Sequence, residues 1–460
     1  MRSGVRGVIG GALATMLAAA SLWPASAGAT VHAALADARI VVRVADWSLS
    51  APALAFLERV ARASRPQAST AAVAAAAIED HVLGRHALAT VGDEALFDNH
   101  FVALSPEAAA EASLDASLEA AWRAPLAEAL GPDGGLRYVV RRHPLARERL
   151  RALLGAGPQV RLDDRLPAER EAALREVRLV EWRIDERDAG VISLHDVWRG
   201  LTLQERNVLY GGDVAYAMHR AEDLVRRAAI RHWVLAHTGM DAADLERLQA
   251  LMADHDRRLA FARWSGAIAE DHYHSAEIER LRAEVSDDDI RRWYDAHPEA
   301  FMRTERVRAR HVRCPDEACA EAASAALARG DAFEDVARRF SKAPDAARGG
   351  DLGWIDLARA RLDWLAQLAF AQPPGPPTGA VREPDAAGGW QIVQVLARTT
   401  GRHPVESETV RFAAGRALAQ ERAVARWAAL RERLLGASDI ELNPALLGFD
   451  ESALAAEGVR

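Results

Sequence analysis

The chain has 460 residues, enough for two or three domains, and half of them are hydrophobic although only 6% are aromatic. Its 58 Lys and Arg against 66 Asp and Glu give a formal charge of −8, which argues against nucleic acid as a partner. The sequence has no phosphate loop, dinucleotide fingerprint or G-x-S-x-G motif, so nucleotide and hydrolase chemistry have no support and no cofactor is expected.

Residues 1–27 have the pattern of a secretory signal peptide. Arg2 and Arg6 precede an apolar run from Val8 to Trp23, and Ala25-Ser26-Ala27 is a small-x-small cleavage pattern. Val31-His32-Ala33 is an alternative cleavage site. No later stretch approaches about 18 uninterrupted apolar residues, so no stable membrane span is expected. The sequence therefore predicts an exported mature chain in the periplasm or outside the cell.

Residues 28–303 are predicted to be mostly helical. Ser105 is a candidate N-cap for a helix that runs to Leu130, and longer helical patterns follow from Val214 onward. A Gly- and Pro-containing break indicates a possible sub-boundary near 155–175. The basic stretch from Arg137 to Leu154 is interpreted as the solvated face of a helix, with a contact site for an acidic partner as the alternative.

The most informative stretch runs from Val307 to Thr399. Arg308 to Arg313 alternates in the manner of a strand, and Glu317 to Ala328 has a helical composition. Phe333 to Phe340 places its apolar residues on one face of a second helix. A loop with paired glycines then leads to a further amphipathic helix, and Gly389 to Val395 closes the stretch as a strand.

Five short motifs occur in order within this stretch: R-A-R-H, G-D-A-F-E-D-V-A-R-R-F-S, G-G-D-L-G-W, A-F-A-Q-P-P-G and G-W-Q-I. Together they resemble the parvulin family of peptidyl-prolyl isomerases. The resemblance implies a domain over 304–400 that has a four-stranded antiparallel sheet wrapped by helices and a shallow prolyl pocket on one sheet face. It also implies isomerisation of X-Pro peptide bonds without a covalent step or a cofactor.

The resemblance also implies the site residues. His311 matches the first sheet-backing histidine and Ser341 the serine at the end of the second helix, while Leu362, Leu365 and Phe370 match the apolar pocket floor and Trp390 belongs to the substrate-binding surface.

Two positions depart from the family pattern. Ala343 stands where Asp or Cys is usual, and Gln391 stands where a second histidine is expected. Gln391 can still donate and accept hydrogen bonds, so it is kept as a catalytic candidate. For His311, the alternative is that it only satisfies neighbouring strand groups. Two hypotheses follow, an active isomerase and a peptide-binding domain that has lost catalysis.

The only two cysteines, Cys314 and Cys319, lie five positions apart after the first strand. In an exported protein they are predicted to form a short-loop disulfide. Reduced thiols and a metal-binding pair are the alternatives, although two thiolates without nearby histidines fall short of a zinc site.

A group of acidic and histidine side chains upstream offers a second possible metal site. It comprises Asp271, His272 and His274, with His255 nearer the N-terminus. Histidines at i and i+2 point away from each other on a helix, so a solvated helix end is preferred and no metal site is predicted.

Residues 401–460 contain a long amphipathic helix from Glu406 to Leu435, followed by a tail. The order of a helical region, a parvulin-like stretch and a C-terminal helix resembles exported foldases of the SurA/PrsA type. That resemblance implies a chaperone module built from residues 28–303 and the C-terminal helix, acting on unfolded or proline-containing polypeptides. The predicted fold class is mostly α with one α+β domain.

Overall fold

The computed structural model of the chain describes residues 31–35, 39–97, 104–155, 166–269, 275–384 and 388–447. The predicted signal peptide with its cleavage pattern at residues 25–27, and the acidic and histidine residues at 271–274, lie outside the described residues.

Helices dominate the chain. The strands are β1 (Val31–Ala34), β2 (Ile40–Val44), β3 (Trp47–Ser50), β4 (Val139–Arg142), β5 (Arg178–Arg183), β6 (Ala189–Ser193), β7 (Met302–Cys314), β8 (Asp351–Asp356), β9 (Val381–Arg382), β10 (Trp390–Arg402) and β11 (Ile440–Leu442). The helices are α1 (Ala51–Ser64), α2 (Thr70–Thr90), α3 (Asp93–Leu96), α4 (Pro106–Ala121), α5 (Arg123–Leu130), α6 (Arg147–Leu154), α7 (Ala168–Arg175), α8 (Leu194–Arg199), α9 (Leu203–Tyr210), α10 (Val214–His237), α11 (Ala242–Trp264), α12 (Ala276–Ala283), α13 (Asp287–Ala296), α14 (Glu317–Ala328), α15 (Phe333–Phe340), α16 (Leu357–Ala360), α17 (Trp364–Ala371), α18 (Glu408–Ala437) and α19 (Pro444–Leu447).

The chain divides into two compact units. The first contains the residues up to Glu277 together with those from Ala423 onward, and the second contains Ile278–Arg422. The first unit holds two sheets, with strand orders β1-β11-β2-β3 and β4-β5-β6, and β11 brings the C-terminal tail into the first of them. The second unit holds one four-stranded sheet with the order β8-β7-β10-β9. This unit is wider than the predicted 304–400 domain because it also includes α13 and the first part of α18.

Side-chain caps explain where several helices begin. The Ser286 hydroxyl accepts from the backbone N–H of Asp289, whose carboxylate accepts in return from Ser286, so this pair forms the capping box expected from the sequence. Ser105 caps α4, but the predicted continuous helix to Leu130 is wrong because the helix breaks at Trp122. Pro125 lacks a backbone N–H and its ring would clash with the preceding turn, which accounts for the break.

The basic stretch at Arg137–Leu154 also differs from the prediction. Its first part is a 3-10 turn followed by β4, whose outer residues are exposed, and only α6 is helical. Arg147 and Arg151 of α6 both donate hydrogen bonds to the Gly211 carbonyl oxygen. These arginines therefore fix a neighbouring turn in addition to facing solvent.

In the first unit, α2 and α11 approach so closely that a buried ionic cluster forms between them. Asp80 accepts from the Arg258 guanidinium at 2.5 Å and lies 3.1 Å from the Nδ1 atom of His255. The neighbouring pair of His81 and Asp254 is separated by 3.0 Å. His255, which the sequence offered as a metal ligand, is thus paired with a carboxylate, as buried charges must be.

Among the described residues, no helix is long and apolar enough to cross a membrane. The mostly helical fold class is confirmed.

The close approach of α2 and α11 generates a stability prediction. A Cβ atom added at Gly84 would lie 2.3 Å from the Asp254 carbonyl oxygen, whereas a Cβ at Gly436 of α18 meets nothing within 4 Å. Gly84→Ala should therefore lower the free energy of unfolding by about 1–3 kcal/mol through overpacking. The control Gly436→Ala should raise it by up to about 1 kcal/mol, because Ala favours helix over Gly. Urea unfolding followed by tryptophan fluorescence measures both, and equal effects would contradict the packing argument.

Candidate functional site

The pairing of β7 with β10 organises the candidate site. His311 is the direct partner of Val393 in this antiparallel ladder, and Val312 is the partner of Ile392. Because side chains alternate along a strand, the sheet has two different faces. One face packs Val312, Cys314 and Ile392 against α14 and α15.

The other face carries the apolar residues next to His311. They are Val307 and Ala309 of β7, Val393 and Val395 of β10, and the inner residues of α16 and α17. By strand alternation, His311 and Gln391 lie on this second face. The register therefore places the histidine beside an apolar surface.

His311 is almost fully buried and is hydrogen-bonded at both ring nitrogens. Its Nδ1 atom lies 2.8 Å from Oε1 of Gln391, and its Nε2 atom lies 3.0 and 3.1 Å from the two carboxylate oxygens of Asp345. Its backbone N–H donates to the Gly350 carbonyl oxygen at 2.8 Å. The ring is thus held from β10 on one side and from the loop before β8 on the other.

Gln391 is held in turn by Glu383, which forms an ion pair with Arg313. Its Nε2 atom donates to Oε1 of Glu383 at 2.5 Å. Arg313 donates to both oxygens of the same carboxylate through Nε and Nη2, each at 2.9 Å. The Arg313 guanidinium holds the pKa of Glu383 at about 2, well below its usual range. We call Arg313, Glu383, Gln391, His311 and Asp345 the His311 network.

Ser341 has a different contact set from that expected of a catalytic group. Its hydroxyl oxygen accepts from the backbone N–H of Arg313 at 3.1 Å and from that of Ala343 at 3.3 Å. The neighbouring Lys342 N–H donates to the Arg313 carbonyl oxygen at 2.8 Å. Ser341 therefore fastens the loop after α15 to the end of β7.

Asp345 was not identified from the sequence. Ala343, the position where the family carries a polar residue, is buried and apolar, and Asp345 two residues later supplies a carboxylate to His311 instead. The paired glycines that follow return the loop to β7. Gly350 has φ +72°, and a Cβ there would lie 1.9 Å from the His311 carbonyl oxygen, so only glycine fits.

Two of the predicted pocket residues are placed elsewhere. Leu362 is 91% exposed, because residues 361–363 interrupt the predicted helix and leave this side chain off its apolar face. Trp390 packs with the cluster beneath α14 and α15, on the opposite sheet face from His311. Leu365 and Phe370 are partly buried against the apolar cluster on the His311 face, as Leu352 and Leu368 are. Leu362 and Trp390 therefore lie apart from the apolar cluster on the His311 face.

The predicted disulfide is not formed in the structure, where Cys314 and Cys319 are both free thiols. The Cys319 thiol donates to the Phe340 carbonyl oxygen at 3.5 Å, so its sulfur is turned toward α15. Burial raises the pKa of the Cys314 thiol to about 12, and a hydrogen bond to the Cys319 sulfur, which stabilises the protonated form, adds to the effect. Cys314 is thus a protonated core residue and not a reactive thiolate.

Within the described ranges, no group of three or more His, Cys, Asp or Glu side chains is arranged to hold a metal ion.

Comparison with known proteins identifies the class. Residues 285–411 match the family model described as the PPIC-type PPIASE domain. The second unit thus contains a parvulin-type peptidyl-prolyl isomerase domain.

Two relatives of the chain are a chaperone and a foldase. The chain is 35% identical to the chaperone SurA of Bordetella avium (strain 197N) over 92 residues, which are 20% of this chain and 17% of that protein. It is 33% identical to the foldase protein PrsA of Bacillus subtilis (strain 168) over 79 residues, 17% of this chain and 26% of that protein. The chain therefore matches about a sixth and about a quarter of the length of these relatives.

A solved structure is also similar. The crystal structure of a PpiC-type peptidyl-prolyl cis-trans isomerase domain is 34% identical, with a TM-score of 0.19, and the match covers 22% of this chain and 97% of that one.

The lowered pKa of Glu383 generates a prediction about acid stability. A carboxyl whose pKa falls from 4.5 to about 2 on folding stabilises the protein above pH 4.5, and this contribution is lost as the pH falls through 2. Glu383→Gln should therefore unfold more readily at neutral pH, and its stability should fall less steeply between these two values. Urea unfolding at several pH values measures how steeply the free energy of unfolding changes with pH.

The control is Asp335→Asn, which removes an exposed carboxylate of α15 that pairs with Arg338. Its pH slope should match that of the unmodified protein. If Glu383→Gln and the unmodified protein share one slope, the ion pair with Arg313 does not perturb Glu383 as described.

Proposed function

We propose that the second unit catalyses cis-trans isomerisation of X-Pro bonds, and that the whole chain is an exported foldase for unfolded polypeptides. The observation that supports catalysis most strongly is the fixed position of His311 on the sheet face against which the partly buried Leu365 and Phe370 pack. The names of the relatives, a chaperone and a foldase, support the role of the whole chain.

The reaction needs little chemistry. The peptide bond resists rotation with a barrier of about 18–20 kcal/mol, and X-Pro bonds interconvert over tens of seconds or more. The barrier arises from amide resonance, which weakens when the amide leaves water for an apolar surface. In the proposed site, Leu365 and Phe370 receive the proline ring, and the adjoining amide is removed from water near His311. No covalent intermediate is required.

A second candidate, a peptide-binding domain without catalysis, is favoured by two residues. Ala343 offers no hydrogen-bonding side chain, and Gln391 cannot exchange a proton at neutral pH as histidine does. In that case the site would hold proline-containing segments while the first unit holds apolar ones.

Localisation is part of the same proposal. The signal-peptide pattern at residues 1–27 supports export, and foldases that act on newly exported chains need to work in that compartment.

The first test measures isomerisation directly. Purified full-length protein should accelerate cis-trans exchange in a proline tetrapeptide, measured without a coupling protease. His311→Ala should reduce the catalysed rate at least tenfold, because it removes the group that contacts both Gln391 and Asp345. Asp335→Asn, on the surface of α15, should leave the rate unchanged. No acceleration over buffer by the folded protein would support the binding-only candidate.

The second test separates catalysis from holding. Apolar surface is the main non-specific attraction for unfolded chains, so it should act independently of His311. His311→Ala should therefore suppress aggregation of a thermally unfolded test protein as well as the unmodified chain does, in a light-scattering assay. Loss of suppression in a variant that keeps its circular dichroism spectrum would mean that holding depends on the isomerase site.

A further inference from the structure

The distances in the His311 network do not by themselves show which atoms donate and which accept. The chemistry of the side chains assigns these roles. Arg313 has only donors to offer, and an ionised carboxylate has only acceptors. The pKa of Glu383, about 2, keeps its carboxyl ionised at neutral pH. The hydrogen bond of 2.5 Å between Glu383 and the Gln391 amide must therefore be donated by the amide nitrogen of Gln391.

This fixes the orientation of the amide. With Nε2 turned to Glu383, Oε1 of Gln391 faces His311, and this oxygen can only accept. The Nδ1 atom of His311, 2.8 Å away, must then carry a proton and donate it. The reverse amide orientation would bring its oxygen against the Glu383 carboxylate, and both groups would lack a donor.

The other ring nitrogen meets a second acceptor. Both oxygens of Asp345 lie within 3.1 Å of Nε2, and the Asp345 side chain is only 13% exposed. An unprotonated Nε2 would place its lone pair against a carboxylate in a buried site, which is repulsive. A protonated Nε2 instead forms a charge-assisted hydrogen bond.

We propose that His311 carries protons on both ring nitrogens at neutral pH, as an imidazolium held between Gln391 and the Asp345 carboxylate, and that Arg313 and Glu383 fix this state by orienting the Gln391 amide. Asp345, Gln391 and Glu383 are then positioning residues. Among the charged groups, Asp345 contacts the ring directly. Glu383 and Arg313 act on it only through Gln391.

The proposal goes beyond the proposed function, since it concerns the protonation of one residue whether or not the site is catalytic. It has a chemical consequence for that function. A histidine that donates from both nitrogens cannot act as a general base, so any catalysis at this site relies on desolvation of the amide. It also explains how the site keeps an ordered histidine without a polar residue at Ala343.

The test is ¹⁵N NMR of full-length protein labelled at histidine, at pH 7. The His311 signals are assigned by their loss in His311→Gln. Both ring nitrogens of His311 should have the chemical shifts of protonated imidazolium nitrogens and should show bonded protons. One ring nitrogen with the chemical shift of an unprotonated imine would overturn the proposal. This measurement is made on the unmodified protein, so it does not depend on whether a variant folds.

Two variants test the positioning residues. Asp345→Asn should convert the signal to a neutral ring with an unprotonated Nε2, because the counter-charge is removed and the amide can donate. Glu383→Gln should introduce a second ring state, because a neutral amide at 383 permits Gln391 to turn over. Asp335→Asn should leave the His311 signals unchanged.

An unaltered imidazolium in Asp345→Asn would reject Asp345 as its counter-charge. These readouts do not use the isomerase rate, so a protein that shows the imidazolium but no acceleration would keep this proposal and lose the proposed function.

Discussion

The pairing of β7 with β10 is the constraint on which the site depends. These two strands are 13 residues each, and their register sets His311 opposite Val393. A slip of one residue would turn one of the two strands over, so that His311 and Gln391 would lie on opposite faces of the sheet. The same register aligns Arg313 with Gln391, so that Glu383 can contact both. One ladder therefore fixes the histidine, its amide partner and the ion pair behind them.

The loop from Ser341 to Gly350 completes the site by three kinds of interaction. Ser341 ties its start to the Arg313 backbone, Asp345 contacts the His311 ring, and Gly350 approaches the His311 carbonyl more closely than any residue with a Cβ could. Each acts on β7 within three residues of His311. A site that departs from the family pattern at Ala343 and Gln391 can thus still hold its histidine firmly, because Gln391 and Asp345 both contact the ring.

Much of this architecture could be predicted from the sequence. The helices at Glu317–Ala328 and Phe333–Phe340 were predicted at the bounds that the structure shows, since local apolar periodicity and an N-cap suffice to define them. His311 and Gln391 were placed on the correct strands. What local patterns could not supply was the loop conformation, and Asp345 reaches His311 only because turns and glycines bring it back to the strand.

The structure differs from the expectation at two further positions. The family resemblance placed Leu362 at the pocket floor, but a break at residues 361–363 leaves its side chain in solvent. The same resemblance placed Trp390 on the substrate-binding surface, but strand alternation turns it to the sheet face opposite Gln391. Glu383 and Arg313 are 70 residues apart in the sequence, and only the folded sheet reveals that they meet.

The central claim is that this site both binds and isomerises an X-Pro bond. NMR exchange spectroscopy on a proline-containing peptide, with full-length protein far below the peptide concentration, tests it most directly. The account predicts exchange cross-peaks between the cis and trans signals within a sub-second mixing time, where the free peptide, which exchanges over tens of seconds or more, shows none. Broadening of the peptide signals without cis-trans cross-peaks would contradict it, because the site would then bind the peptide without isomerising its X-Pro bond.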